Sequence, residues 1–206
     1  FWSTFDRKDG SGLVGTQMLS NGHHFPDVTL AIVADADLGL NLPDYRSAER
    51  TFQLLLQSSG RAGRGEKAGS VFIQTRDPSH YCWKYVVDAD YEGFFEHELA
   101  LRQKRSYPPF IRLALIRITY PADKPEGSDQ MLELGRMLRQ KARELGLTVL
   151  GPAPAPIPLI RGQRRAHCLV RGQDWSLIRS RFSHPYEAAR QSVLRLRLDL
   201  DPLSML

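Results

Sequence analysis

From Leu194 to Asp201 the chain reads LRLRLDLD, and strict alternation at period two is the signature of a β-strand with one face buried. Leu194, Leu196, Leu198 and Leu200 point one way; Arg195, Arg197, Asp199 and Asp201 point the other. As a helix the same residues would spread leucine around the whole circumference. The second half of the chain must therefore hold a sheet covered on one side. Reading back from it, patterns of the two periods alternate: a strand over 111–120, a helix over 128–145, a strand over 148–150 continuing through prolines, a strand over 166–171, a helix from Trp175 to about Phe182, and the final strand over 193–199. Two βαβ-like halves in this order are the ferredoxin-like arrangement. Its first helix aligns Met131, Leu134, Leu138, Ala142 and Leu145 on one face. In GPAPAPIP, residues 151–158, five of eight positions are Gly or Pro, which predicts a stiff edge or a loop.

The first half spells a different order. VTLAIVA, residues 28–34, is a continuous apolar run of the kind buried on both faces of a parallel sheet, and GLVGT, residues 12–16, and VFIQ, residues 71–74, read as shorter strands. Between them SAERTFQLLLQSSGRAG offers Ser47 as a helix cap, apolar Phe52, Leu55 and Leu56 at helical spacing, and terminating glycines. Strands joined by helix-sized connections make this half α/β with a parallel sheet. One long helix is predicted over 81–105, acidic early and basic late as the macrodipole prefers. Pro108 and Pro109 end it. The domains expected are thus 1–78, a connecting helix over 79–107, and 108–206.

Charge divides the two halves. Residues 1–104 carry 11 Lys+Arg against 14 Asp+Glu, and residues 105–206 carry 17 against 9, of which 15 cations are Arg. Arginine forks onto phosphate and stacks on bases, so a nucleic-acid partner is a natural reading of the second half. No apolar run reaches the roughly 18 to 20 residues of a membrane span. Phe1 to Gly10 shows neither the basic nor the apolar region of an export signal, so a cytoplasmic protein is expected. The absence of an initial Met leads us to expect further sequence upstream. Cys82 and Cys168 lie far apart with no metal-ligand spacing, and the adjacent His23 and His24 have no third ligand nearby, so no metal site is expected.

The chemistry-bearing stretch is QSSGRAGRG, residues 57–65, where two arginines stand between glycines just after a leucine-rich run. Guanidinium groups in such a turn can reach a phosphate, and one set against a transferring γ-phosphate stabilises the charge of the transition state. Yet the chain has no Gly-Lys dipeptide and so no Walker A cradle. With no phosphate loop beside them, Asp35 and Asp37 are read as structural. Only half of a nucleotide site is present.

QSSGRAGR resembles motif VI (QxxGRxGR) of superfamily 2 helicases. GTQMLSNGHHFPDVTLAIVADAD, residues 15–37, resembles their motif V in the form carried by the primosomal replication-restart helicases, and the similarity runs on from Asp44 through Thr75. SYPPF, VLGPAPAPI and LRLDLDP are similar to that family's C-terminal domain. The resemblance implies the latter part of a RecA-like helicase lobe followed by the α+β C-terminal domain. The parent would be an ATP-driven 3′ to 5′ DNA helicase that restarts stalled forks and directs primosome assembly. Arg64 would then be the arginine finger and Arg61 its neighbour on the phosphates or on motif V, with Gln57 on the nucleotide or the other lobe. Thr16 and Gln17 would contact a DNA phosphate. Gly22 and His24 fall where many relatives carry a glycine and an acidic residue that sense the nucleotide; His24 departs from that pattern. ATP and Mg²⁺ would be shared with a first lobe that this sequence lacks, so the chain alone is expected to be inactive. Zinc is expected only in an insertion outside this sequence. Forked or single-stranded DNA, the single-stranded DNA-binding protein and primosome-loading proteins are the implied partners.

Read from its own residues, RGQRRAH places Arg161, Arg164 and Arg165 around Gly162 at a predicted hairpin tip, a patch suited to backbone phosphates. Arg179 and Arg181 in DWSLIRSRF are further candidates on charge alone. The alternative reading is a stand-alone nucleic-acid or protein-binding adaptor.

Overall fold

The structure is a computed structural model that describes residues 12–15, 28–59, 69–173, 189 and 192–205. The chain divides into two compact units, 1–98 and 99–206.

In the first unit β1 (Leu30–Val33) pairs in parallel with β2 (Ser70–Ile73), Leu30 opposite Ser70 and Val33 opposite Ile73. A parallel pair needs a crossover connection, and this one contains α1 (Asp37–Leu40) and α2 (Ser47–Ser59). Residues 12–15, expected to begin a strand, are in no strand. Helix α2 buries Ala48, Phe52 and Leu55, spaced by four and three residues so that they share one face. Phe52 is fully enclosed and stacks on Phe94 with ring centroids 4.0 Å apart. Cys82 and Val86 complete this core, against which Val33 and Ile73 pack. Burying one such aromatic side chain stabilises by roughly 1.5–3 kcal/mol.

The start of α2 is organised by Asp44. Its carboxylate accepts from the Arg46 backbone N–H at 3.0 Å and from Arg50 Nη1 at 3.0 Å, while its carbonyl accepts from the Ser47 N–H. The chain is thereby turned before Ser47, which is already the first helical residue.

The single helix expected over 81–105 is two, α3 (Cys82–Val87) and α4 (Tyr91–Arg105). Ala89 takes a left-handed backbone, φ 52°, which no α-helix continues through. Asp90 then restarts the chain, its carboxylate accepting the Gly93 N–H at 2.8 Å as an N-cap does. The basic last turn of α4, with Arg102, Lys104 and Arg105, is where the macrodipole favours cations.

The second unit is one antiparallel sheet in the order β4-β5-β3-β6, formed by β3 (Arg112–Pro121), β4 (Thr148–Ile160), β5 (Gln163–Gly172) and β6 (Arg195–Leu200). Helix α5 (Glu126–Glu144) joins β3 to β4, and β5 is inserted between those two strands. That is the split βαβ of the ferredoxin-like arrangement. The second helix expected over 175–182 lies outside the described residues. One face of the sheet presents Ala114, Ile116, Ile118, Ala166, Cys168 and Val170 to Leu134, Leu138 and Ala142 of α5, and Leu196, Leu198 and Leu200 pack against this core.

Strand β4 is an edge, the one place in a sheet where a proline's missing N–H costs no ladder bond. Pro152, Pro154, Pro156 and Pro158 occupy it, and its register against β5 shifts between Leu150 and Ala153 and again between Pro154 and Leu159. Helix α5 comes very close to it, since a Cβ on Gly135 would fall 2.3 Å from Pro152 Cδ. Arg139 Nη1 donates to the Gly151 carbonyl at the same contact.

Candidate functional site

Most residues implied in nucleotide chemistry, namely Gly22, His24, Arg61 and Arg64, lie outside the described residues, as do Thr16 and Gln17, implied in DNA contact, and Arg179 and Arg181. Gln57 is described: it sits exposed in the last turns of α2, three residues before the glycine that opens GRAGRG. At the carboxyl ends of β1 and β2 the acidic pair is used for tying. Asp37 accepts the Thr75 hydroxyl at 2.8 Å and the Arg76 N–H at 2.7 Å, and Asp35 pairs with Arg76 at 3.2 Å. The Arg76 N–H first and the Thr75 hydroxyl second hold the Asp37 carboxyl below the usual range. Among the described residues no group of three His, Cys, Asp or Glu could hold a metal ion.

In the second unit, β4 and β5 are joined by a two-residue turn, Arg161 and Gly162, with φ of 49° and 73°. Positive φ at both positions is the type I′ geometry that matches strand twist. Arg161 is exposed at that tip. Arg164 and Arg165 follow as neighbours in β5 and so project from opposite faces of the sheet. Arg164 stands opposite Tyr120 on the side of α5, and Arg165 stands opposite Thr119 on the other side. The three arginines of the hairpin therefore share one end of the sheet but not one surface.

The side facing away from α5 gathers cations from three strands. On one rung Arg117 of β3 lies directly between Arg197 of β6 and His167 of β5; on the next, Thr119 lies between Arg195 and Arg165. Asp199 accepts from Arg117 at 2.7 Å, and Arg117 also donates to the Ser204 carbonyl at 3.1 Å, which brings the tail after β6 back over this face. His167 Nε2 is enclosed with no hydrogen-bond partner among the described residues. Burial, then the charges of Arg117 and Arg165, push the His167 pKa below its ordinary value. The sequence reading had turned Arg195 and Arg197 outward but missed Arg117 and His167. Their meeting depends on register between strands some fifty to eighty residues apart, which no local pattern encodes.

An antiparallel ferredoxin-like sheet carrying a cationic face opposite its helix is the class of domain that the second unit defines. Its family is specific: residues 103–203 match the family described as primosomal protein N C-terminal domain. The similarity extends beyond that domain. Replication restart protein PriA of Bacillus subtilis (strain 168) is 37% identical over 208 residues, covering 99% of this chain and 26% of that protein. The proteins of the same name from Synechocystis sp. and Rickettsia felis are 38% and 35% identical, covering 98% and 93% of this chain and 24% and 29% of theirs. The chain belongs to this PriA family and spans about a quarter of the length of these relatives.

Proposed function

We propose that this chain acts in replication restart as the latter part of a helicase motor lobe joined to a DNA-binding C-terminal domain, within an ATP-dependent 3′ to 5′ DNA helicase. The observation that carries the reading is similarity to replication restart proteins over nearly the whole chain, with QSSGRAGRG starting in the sequence at Gln57, inside the last turn of α2. The parallel β1–β2 pair with α2 in its crossover is compatible with a portion of a RecA-like lobe. In this reading Arg64 faces the γ-phosphate of an ATP·Mg²⁺ gripped by the Walker A loop of another lobe, and Arg61 and Gln57 flank it. Gly22 and His24 sense the nucleotide, and Thr16 and Gln17 hold a DNA phosphate. Each motor contact with DNA fixes position without reading bases. Arg161, Arg164 and Arg165 add backbone contacts on forked or single-stranded DNA. The single-stranded DNA-binding protein and primosome-loading proteins are the protein partners of this reading.

The test is DNA-stimulated ATP hydrolysis by the full-length protein that contains this chain. A finger arginine contributes about 10³-fold or more to turnover, so Arg64→Ala should lower kcat by that factor while leaving DNA binding intact. A variant hydrolysing ATP at the wild-type rate would overturn the assignment.

A second reading, a DNA- or protein-binding adaptor without enzymatic role, draws on the confinement of the cationic surplus to residues 105–206. It is separated from the first by the same variant, because an adaptor has no ATPase for Arg64→Ala to abolish.

A further inference from the structure

The side of the sheet turned away from α5 holds more positive charge than its own fold can use. Arg117, Arg165, Arg195 and Arg197 stand on two adjacent rungs, and Arg117 and Arg197 are direct cross-strand partners. Like charges directly opposite one another weaken a sheet. Among the described residues Asp199 is the carboxylate set against them, and it is engaged by Arg117. Arg195 and Arg197 enter no ion pair among the described residues, and both are exposed. Arg117 is held by Asp199 and Arg165 donates to the Ile157 carbonyl at 3.5 Å, yet the two exposed guanidinium groups of Arg195 and Arg197 beside them leave the face with a surplus of positive charge suited to an anion.

The shape of the patch narrows what that anion is. Along each strand, same-face residues recur at roughly 7 Å, a spacing comparable to that of successive phosphates in an extended nucleic-acid strand. Across the patch the cations are carried by β6, β3 and β5 in that order. One end is closed where the face turns apolar, with Leu113 and Leu115 fully buried and the tail held over it through the Asp201 N–H to the Leu113 carbonyl. A patch two rungs deep accommodates one backbone and not the two of a duplex. The aromatic ring on these rungs is His167, half-buried with its Nε2 enclosed, so the patch offers bases little to stack on.

We infer that this face of the β3–β5–β6 sheet is a binding track for the phosphodiester backbone of single-stranded nucleic acid, with Arg195 and Arg197 as its exposed contacts and Arg117 and Arg165 behind them. The inference rests on the DNA-binding reading above and locates it on a surface other than the hairpin tip. Binding there is independent of base sequence.

The experiment measures binding of the 206-residue chain to a labelled oligothymidylate, to a duplex and to an Asp/Glu-rich peptide as salt is varied, for the wild type, for Arg195→Ala/Arg197→Ala, and for Arg161→Ala/Arg164→Ala. Each phosphate contact on a single strand contributes about 0.7 to the slope of log affinity against log salt. The β6 double variant should therefore weaken binding to the oligothymidylate and make the slope shallower by about 1.4. An unchanged melting transition shows that the fold is retained; should the variant melt early, Arg195→Gln/Arg197→Gln gives the same readout with the side-chain length better kept. If the wild type binds and only the hairpin variant loses affinity, the track is refuted and DNA binding by the domain stands. If no form binds nucleic acid at low salt, both readings fall. Tighter, Arg195- and Arg197-dependent binding of the duplex, or of the acidic peptide in place of the oligonucleotide, also overturns the inference.

Discussion

Arg171 of β5 reaches the C-terminal end of α4, where its Nη2 donates to the carbonyl of Arg105 at 2.5 Å and to that of Ser106, while the guanidinium carbon lies 5.3 Å from the centre of the Tyr107 ring. The last carbonyls of a helix have no partner within it, and a cation placed there both satisfies them and opposes the negative end of the dipole. Ser106, at φ 50°, is the left-handed residue that ends the helix. Arg171 thus ties the central sheet to the segment that leads into it.

Replacing Arg171 by Met keeps the aliphatic reach and removes the donors. We expect a loss of about 1–2 kcal/mol of unfolding free energy, read as a lower denaturant midpoint by circular dichroism. Arg171→Lys should recover less than half, because one ammonium cannot reproduce the planar contact with Tyr107 and the fork to two carbonyls. A full recovery by Lys would mean that charge alone accounts for the contact.

Gly151 and Gly162 should respond differently to alanine although both have positive φ, 99° and 73°. A Cβ on Gly151 would meet the His167 carbonyl oxygen at 2.6 Å, a backbone atom that cannot yield, whereas one on Gly162 meets nothing within 4 Å. Gly162→Ala carries backbone strain alone, on the order of 1 kcal/mol. Gly151→Ala adds overpacking of about 1–3 kcal/mol. Equal melting shifts for the two variants would show that the β4 bulge relaxes freely around residue 151.

How far this could be read in advance differs by level. The α5 stripe of Leu134, Leu138 and Ala142 is buried as its spacing requires, and the alternation in β6 places its leucines on the core. Both are local periodicities against one burial direction, which a linear pattern records. The break between α3 and α4 was missed because the charge gradient over 81–105 suits one dipole as well as two; the available signal was Asp90 three residues before Gly93, an N-cap spacing inside an apparent helix. In β4 the four prolines left a stiff edge or a loop as the alternatives, and the strand is an edge, since composition alone restricts where a missing donor is tolerated. The cationic face was legible only in part. Arg195 and Arg197 follow from alternation, but Arg117 opposite Arg197 follows from register, set by pairing across the whole domain.

His80 makes the first unit sensitive to acid. Its Nδ1 accepts the Cys82 N–H at 3.3 Å, which requires the neutral ring with the proton on Nε2. Burial lowers its pKa from 6.5, against the opposing pull of Asp77, Asp37 and Glu98. A base with a depressed folded pKa binds fewer protons folded than unfolded, so its contribution is present above pH 6.5 and is lost as pH falls toward the folded pKa. Unfolding free energy followed by tryptophan fluorescence should fall through that window. The decline should be shallower in His80→Gln, whose amide oxygen can still accept.

Cys82 and Cys168 are fully enclosed, one in the core of each unit, and burial pushes both thiols up to about 12. The thiolate is the reactive form, so near pH 8 neither side chain of the folded chain should react with a soluble disulfide reagent, and both should react at once in denaturant. The linkage runs opposite to that of His80. A thiol whose folded pKa is raised holds its proton while the unfolded thiol ionises, so its contribution is full below pH 9.0 and is lost as pH rises from there toward about 12. Labelling rates distinguish the units, because the cysteine of the less stable one becomes accessible first as denaturant is raised. Rapid labelling of Cys168 in the native chain would contradict a closed sheet-on-helix core, since Cys168 lies opposite Ile116 at its centre.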